Sequence, residues 1–550
     1  MDRSLAAMGM LEDAAPLFAP ASVLPRAGVL LAVPVLVASG VLSIAQRVYG
    51  HIAPAFYGLR TTLVVYILLS LLRIPRPEHL KEQAPVPLGR IVGLDRILEV
   101  KTLRRKLTVL AARKASQRFT RELALKRVKE RGALMGFLYI DGHVRAYHGK
   151  HKIAKGYLTR TRLAVPATTD YWVNDKSGDP LLVVTAEANA AMTRMLEPLL
   201  QEVRELLGKE RRATVVFDRG GWSPQLFVKL LVLGFDILTY RKGRTECVSE
   251  TCFTTHTAEL EGRKVKYELF EQPVQFLKET LRLRQITRLT KNHQTHIITS
   301  RWDLPAVEVA YRMFERWRQE NFFKYLREEF LIDALSDYEL VPDDPQRSVP
   351  NPARQAVDRQ LRQVRAEIKK LQQTYGAAAL AQTPDNSAAS STLSAEQLRI
   401  RDELKKTTAR VEQLRATQKS LATRVPLQQA RPNEDLVKLS TERRQLTNAL
   451  KLTAYQIESD LVTLLRPHYA RAEEEGRTLI HTALQSAATL EPTDTQLRIT
   501  LAPLSSAHRS KAIASLCEIL NRCETCFPGT ALRMHFAVAD PAKIGENQTL

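Results

Sequence analysis

Apolar residues follow three rhythms along the chain. Between Ala27 and Gln46 there is no charged residue, and Arg26 and Arg47 bound the run. Such a run has the length of a bilayer span, but a membrane helix and a buried core helix share this pattern. Pro34, Ser39, Gly40 and many small residues lower its hydrophobic density. Thr61–Leu72 is a second apolar run, too short to span. Residues 1–80 are read as an apolar helical region. Residues 81–133 turn basic, and Pro87–Ala111 has a helix–Gly–helix rhythm. That segment suits either a helix-turn-helix on DNA or a solvated helical face.

From Ala133 the rhythm becomes strand-like. Met135–Ile140 is apolar and ends at Asp141, with His143–Tyr147 continuing it. Arg162–Val173 and Leu181–Val184 follow as strands. Ala190–Leu207 has helical spacing, with Met192, Leu196, Leu199, Val203 and Leu206 on one face. Ala213–Phe217 is a short β-branched run that reads as a buried strand, with Asp218 at its carboxyl end. Gly220 and Gly221 then turn the chain, and Ser223-Pro224 supplies an N-cap and N1 for a helix to Leu233. Phe235–Tyr240 is the next strand. The order is β-β-β-α-β-α-β, with antiparallel hairpins first and parallel, right-handed crossovers later. The predicted fold class is α/β, with a ribonuclease H-like mixed sheet. In that layout the first and fourth strands are neighbours, so Asp141 and Asp218 lie side by side.

Residues 241–299 read as a β-rich insertion. Asp303, as N-cap, and Pro305 then open one long helix. Along it Met313, Arg316, Glu320, Lys324 and Arg327 share a face, although an exposed ion-pair ladder has the same spacing. The core therefore covers 134–335, and 336–350 is a Pro-rich linker. Across 351–465 apolar positions such as Leu361, Ile368, Leu404, Val411, Leu446 and Ile457 keep heptad spacing. Helical hairpins and a dimerising coiled coil both satisfy it. Residues 466–550 form a helix and a small α/β cap, with strands near 497–501 and 532–538 around the helix Ala507–Cys523.

Charge adds a partner. Lys and Arg exceed Asp and Glu by 22 among 550 residues. That excess favours a polyanion, or a basic membrane surface. Five cysteines, few and odd in number, argue against a disulfide framework and suit a reducing cytoplasm. Cys517, Cys523 and Cys526 with His508 and His535 are a weak zinc pattern, because one CxxC lacks a second pair. Asp141, Asp218 and Glu320 form the candidate constellation. Hard carboxylate oxygens hold Mg²⁺ while leaving positions for phosphate and water. Glu187, Asp170 and Asp236 are the rival carboxylates, Asp236 at the far end of the sheet. His143, His148 and His151 suit a DNA-facing edge better than a metal cluster. Trp222 and Trp302 read as crevice aromatics, with base stacking as the other role.

These residues carry a resemblance. The stretches YIDGHVRAYHG, VVFDRGGWSPQLF with GFDILTYRKG, and TSRW…RWRQENFFKYLREE resemble bacterial insertion-sequence transposases of the DDE type. One branch of that family carries Tyr-x2-Arg-x3-Glu-x6-Lys on its glutamate helix. Here Arg316 and Glu320 match, Met313 stands at the tyrosine and Arg327 at the lysine. The resemblance implies a β-rich insertion before that helix and two Mg²⁺ ions, with Mn²⁺ as substitute. It implies that Asp141 bridges both ions, while Asp218 and Glu320 each complete one site. Arg316, Lys324, Arg327, Lys150, Lys152, Arg241 and Lys242 are then the phosphate-binding cations. The implied reaction is cleavage at transposon ends and strand transfer into target DNA, by a homodimer in the cytoplasm, at the nucleoid, with no membrane partner. The alternative is a catalytically inactive DNA-binding coiled-coil protein derived from a transposase.

Overall fold

In a computed structural model the described residues are 1–540 except 53–54, 152, 159–162, 187–189, 244, 292, 315, 334–338 and 381–394. For 157–158, 317–320, 378–380 and 395–397 only the backbone is described. The chain divides into two compact units, Met1–Tyr338 with Ser440–Leu550, and Glu339–Leu439.

The first unit is built on a mixed sheet. Its central strands are β1 (Phe137–Ala146), β2 (Leu163–Asn174), β3 (Pro180–Ala186), β4 (Ala213–Phe217) and β5 (Phe235–Tyr240). They lie in the order β3-β2-β1-β4-β5. β1 pairs antiparallel with β2 and parallel with β4, and β4 pairs parallel with β5. Helices α1 (Met192–Leu207) and α2 (Pro224–Val232) make the two crossovers. They cover one face, burying Leu138, Ile140, Val215 and Phe217 with Leu196, Leu199 and Phe227. The other face buries Tyr139, Val216 and Leu238 under α3 (Ala306–Phe314). Coverage on both sides explains why β4 is buried at every position rather than alternating.

The β-rich insertion continues this sheet instead of standing apart. Strand His293–Thr299 pairs antiparallel with β5, and Leu281–Thr290, Arg263–Phe276 and Thr254–Leu260 extend outward from it. The single long helix expected from Pro305 is two helices, α3 and α4 (Trp317–Phe330). Asp303 does not cap α3. It pairs with Arg301 at 2.8 Å and Arg212 at 3.0 Å, because those guanidiniums outcompete backbone amides for a carboxylate.

The apolar N-terminal run forms Ala27–Ala32, Val33–Ala38 and Val41–Tyr49, with a 59° bend before the last. Among the described residues no single helix is long and apolar enough to cross a membrane, though this bent pair passes that test together. Its apolar residues and the helix Leu59–Leu71 enter the largest core. At the middle of that core lies α5 (Glu442–Leu465), buried nearly all round. The heptad count grouped α5 with the hairpins, but it belongs to the first unit. A helix with a second buried side reads like a coiled-coil seam in sequence. Gly28 docks the N-terminal segment: its amide donates to the Ser486 carbonyl at 3.0 Å, and a Cβ there would overlap the Ala483 carbonyl oxygen. Gly28→Ala should therefore cost about 1–3 kcal/mol in urea unfolding. Gly136→Ala, whose Cβ meets nothing within 4 Å, should be near neutral.

Helices Pro85–Ile91 and Val100–Ala112 bury Leu88, Ile91, Leu103 and Leu107 and leave Arg104 and Arg105 exposed. The small C-terminal sheet pairs Gln496–Leu501 parallel with Arg533–Val538 across the helix Ala507–Arg522. Strand Ala21–Leu24 joins its edge.

The second unit is a helical hairpin. Pro352–Leu380 and Ala395–Ser420 run antiparallel, with Arg354 donating to the Gln418 and Leu421 carbonyls where the start of the first meets the end of the second. Leu361, Val364 and Val411 form its seam, flanked by Val357, Ile368 and Leu414.

Candidate active site

The end of β4 and the middle of β1 build the site. Ile140 pairs in parallel register with Phe217, so Asp141 and Asp218 are the next residues on adjacent strands. Neighbouring strands lie about 4.8 Å apart. Side chains alternate, so Asp141 shares the face of Tyr139, which α3 covers. Arg316, between α3 and α4, places a guanidinium nitrogen 3.4 Å from Asp141 Oδ2, while Oδ1 accepts from the Gly142 amide at 2.9 Å. Asp218 Oδ1 accepts from Gly220 at 2.7 Å, which closes the Gly-rich turn. Ser223 then caps α2 through the Leu226 amide, with Pro224 in the first turn. The chain is thus led away from Asp218, which is half-buried.

Tyr171 joins the two carboxylates. It lies opposite Gly142 on β2, so close that a Cβ at 142 would sit 3.0 Å from its ring. Burial pushes its phenol up to about 12, and the charges of Asp141 and Asp218 both add to that rise. The hydroxyl donates to the Ala190 carbonyl at 2.5 Å. No sequence signal marked Tyr171; only the pairing of β1 with β2 brings it here.

Glu320 lies on the first turn of α4, and its side chain is outside the described residues. The helix itself is firmly seated. Phe323, one turn on, stacks on His143 with ring centres 5.1 Å apart, and His143 Nε2 meets Asp333 at 2.6 Å. His143 is therefore a seat for α4. Phe322 packs edge-on against Trp172 and Tyr455. Arg73 grips the far half through Glu329 at 2.7 Å and Tyr325 at 2.6 Å, and ties it to Glu458 of α5 at 2.7 Å. Residues so distant in sequence give no local signal.

The expected phosphate-binding cations scatter more widely. Lys150, Lys242 and Lys324 are exposed, and Lys152 lies outside the described residues. Arg327 is half-buried, 3.7 Å from Glu328. Arg241 is half-buried against Gln285 and over the Phe276 ring. Met313, at the tyrosine position, is fully buried in the core.

The rival carboxylates have other work. Asp170 is wholly buried beside Arg145 and Arg444. Asp236 sits at the opposite end of the sheet, 2.6 Å from Arg212. Glu187 falls outside the described residues. Trp222 packs on Phe227 and Phe276, whereas Trp302 is 50% exposed beneath Arg282. Among the described residues no group of three or more His, Cys, Asp or Glu gathers to hold a metal, and all five cysteines are free thiols.

Among curated proteins, none matches the sequence significantly. In the cryo-EM structure of the piggyBac transposase synaptic complex with hairpin DNA, 68% of one chain aligns with 53% of this one, at 10% identity and a TM-score of 0.31. The family described as "Transposase protein" matches residues 1–540, and the chain belongs to it.

Proposed function

We propose that this transposase is a DDE-type enzyme with a ribonuclease H-like core, in which Asp141, Asp218 and Glu320 serve strand cleavage at transposon ends and strand transfer into target DNA. The observation that carries the reading is the Ile140–Phe217 pairing, which puts two half-buried carboxylates at neighbouring positions on adjacent strands, with Arg316 against one of them. Two hard, anionic donors on rigid strands suit Mg²⁺ or Mn²⁺. Asp141 and Asp218 would hold the ions with Glu320, one helical turn before the Phe323–His143 stack. Bound metal would supply Lewis-acid activation of water and of the scissile phosphate.

The chain's own residues have separate duties. Arg316 neutralises Asp141 and can bind phosphate when the carboxylate turns to a cation. Gly220 orients Asp218 through its backbone amide. His143, Phe323 and Asp333 fix the distance of α4 from β1. In the hydrolytic step a water oxygen bonds to phosphorus and loses its proton to solvent, the bond to the 3′ oxygen breaks, and that oxygen takes up a proton from solvent, leaving a 5′-phosphate and a 3′-hydroxyl. Two copies acting on paired ends would complete the reaction.

The test is nicking of a plasmid carrying the element's own ends. Wild type should nick with Mg²⁺ and not with EDTA, and Glu320→Gln should bind the same DNA without nicking it. Cleavage surviving Glu320→Gln removes that residue from the site.

A further inference from the structure

A polar cavity lies apart from Asp141 and Asp218, lined by the segment after Leu59–Leu71, the helix Val100–Ala112 and α5. It has a volume of about 30 Å³ and is lined by Arg76, Glu78, Arg104, Arg443, Thr447 and Lys451, among others. Thr447 and Lys451 form its buried floor, at 3% and 6% exposure, and the exposed Arg76 and Arg104 mark its mouth. Four basic side chains thus face a single carboxylate, and Arg104 already pairs with that carboxylate, Glu78. Among the described residues no carboxylate pairs with Arg76. The Lys451 ammonium has three N–H donors. The Phe330 and Leu331 carbonyls take two of them, at 2.7 and 3.2 Å, where α4 ends. Burial, with the charges of Arg145 and Arg76, pushes Lys451 down to about 7. Concentrated positive charge around a buried floor is costly unless an anion neutralises it.

We propose that this cavity binds a phosphate group, held by Arg76 and Arg104 at the mouth and Lys451 at the floor. The same chemistry is offered by a nucleic-acid backbone and by free phosphate. The site is independent of Asp141 and Asp218, so it stands or falls apart from the cleavage reading.

The experiment uses the full chain, as wild type, Arg76→Ala, Arg76→Lys and Arg104→Ala. Inorganic phosphate is titrated calorimetrically at constant ionic strength, with chloride as the reference anion. In parallel, binding of a labelled duplex is followed against salt concentration. Arg76 is exposed, so its variants should melt like wild type without phosphate. Phosphate affinity should fall about tenfold or more in Arg76→Ala and return in Arg76→Lys. A duplex salt slope lower by about one in Arg76→Ala identifies the ligand as a backbone phosphate. An unchanged slope with weakened phosphate binding identifies free phosphate. If phosphate and duplex binding are the same in wild type, Arg76→Ala and Arg104→Ala, the proposal is wrong.

Discussion

Asp218→Asn should leave the fold and duplex binding intact and lower Mg²⁺-dependent nicking by at least about 10³-fold, roughly 4 kcal/mol of transition-state stabilisation. The amide keeps the size of the carboxylate and can still accept from Gly220, so the turn after β4 survives. What disappears is one negative charge at the carboxyl end of β4. Asp141→Ala should have the same effect on nicking, with Arg316 released from its 3.4 Å contact. Melting temperature and duplex affinity, measured on the same preparations, separate lost chemistry from lost structure. Nicking within tenfold of wild type in either variant would remove that residue from the catalytic set.

Asp170→Ala should act on stability instead, costing about 3–5 kcal/mol in urea unfolding. Asp170 is 0% exposed, and its partners Arg145 and Arg444 are 3% and 4% exposed. Thr185 donates to it at 2.8 Å and Asn448 at 3.3 Å. Removing the carboxylate leaves two guanidiniums facing one another in the core with no counter-charge. A surface control makes the contrast: Asp95, 56% exposed beside Arg3, should cost under about 1 kcal/mol when changed to alanine. Burial pushes the Asp170 carboxyl up, but Arg145 and Arg444 outweigh it and hold the group below the usual carboxylate range. A depressed folded-state value means this stabilisation is present above the ordinary carboxylate range. It is lost only as acid titrates the folded carboxylate.

Local rules made much of this sheet legible. The β-branched run at 213–217 marked β4, and Asp-x-Gly-Gly-x-Ser-Pro marked the turn and the capped helix after it. Strand order and crossover handedness pointed to a ribonuclease H-like layout, and that layout put Asp141 beside Asp218. The end of each element was harder. β1 runs through Asp141 to Ala146, as the continuation at His143–Tyr147 suggested, whereas the helix expected from Pro305 is two, one ending at Phe314 and the next beginning at Trp317. Helical spacing from Met313 to Glu320 assumed one continuous helix, whereas α3 ends at Phe314 and α4 begins at Trp317. Asp303 had the sequence position of an N-cap, and two arginines took it instead. The role of α5 was hidden because a heptad stripe records only that one side is apolar. Its buried Arg444, Asn448, Lys451 and Glu458 meet partners from β1, β2, α4 and the N-terminal region. Such partners lie hundreds of positions away, and no window along the chain can contain both members. Asp170 and Asp218 looked equivalent as strand carboxylates, and only their surroundings separate a structural ion pair from an open one.

The most direct measurement is Mn²⁺ binding to the full chain with duplex DNA, read by electron paramagnetic resonance. Wild type, Asp141→Ala and Asp218→Asn are compared at equal protein concentration. The expected result is tight Mn²⁺ in wild type and affinity weaker by about tenfold or more in both variants. Equal Mn²⁺ affinity and stoichiometry in all three proteins would contradict a metal site built on these two aspartates.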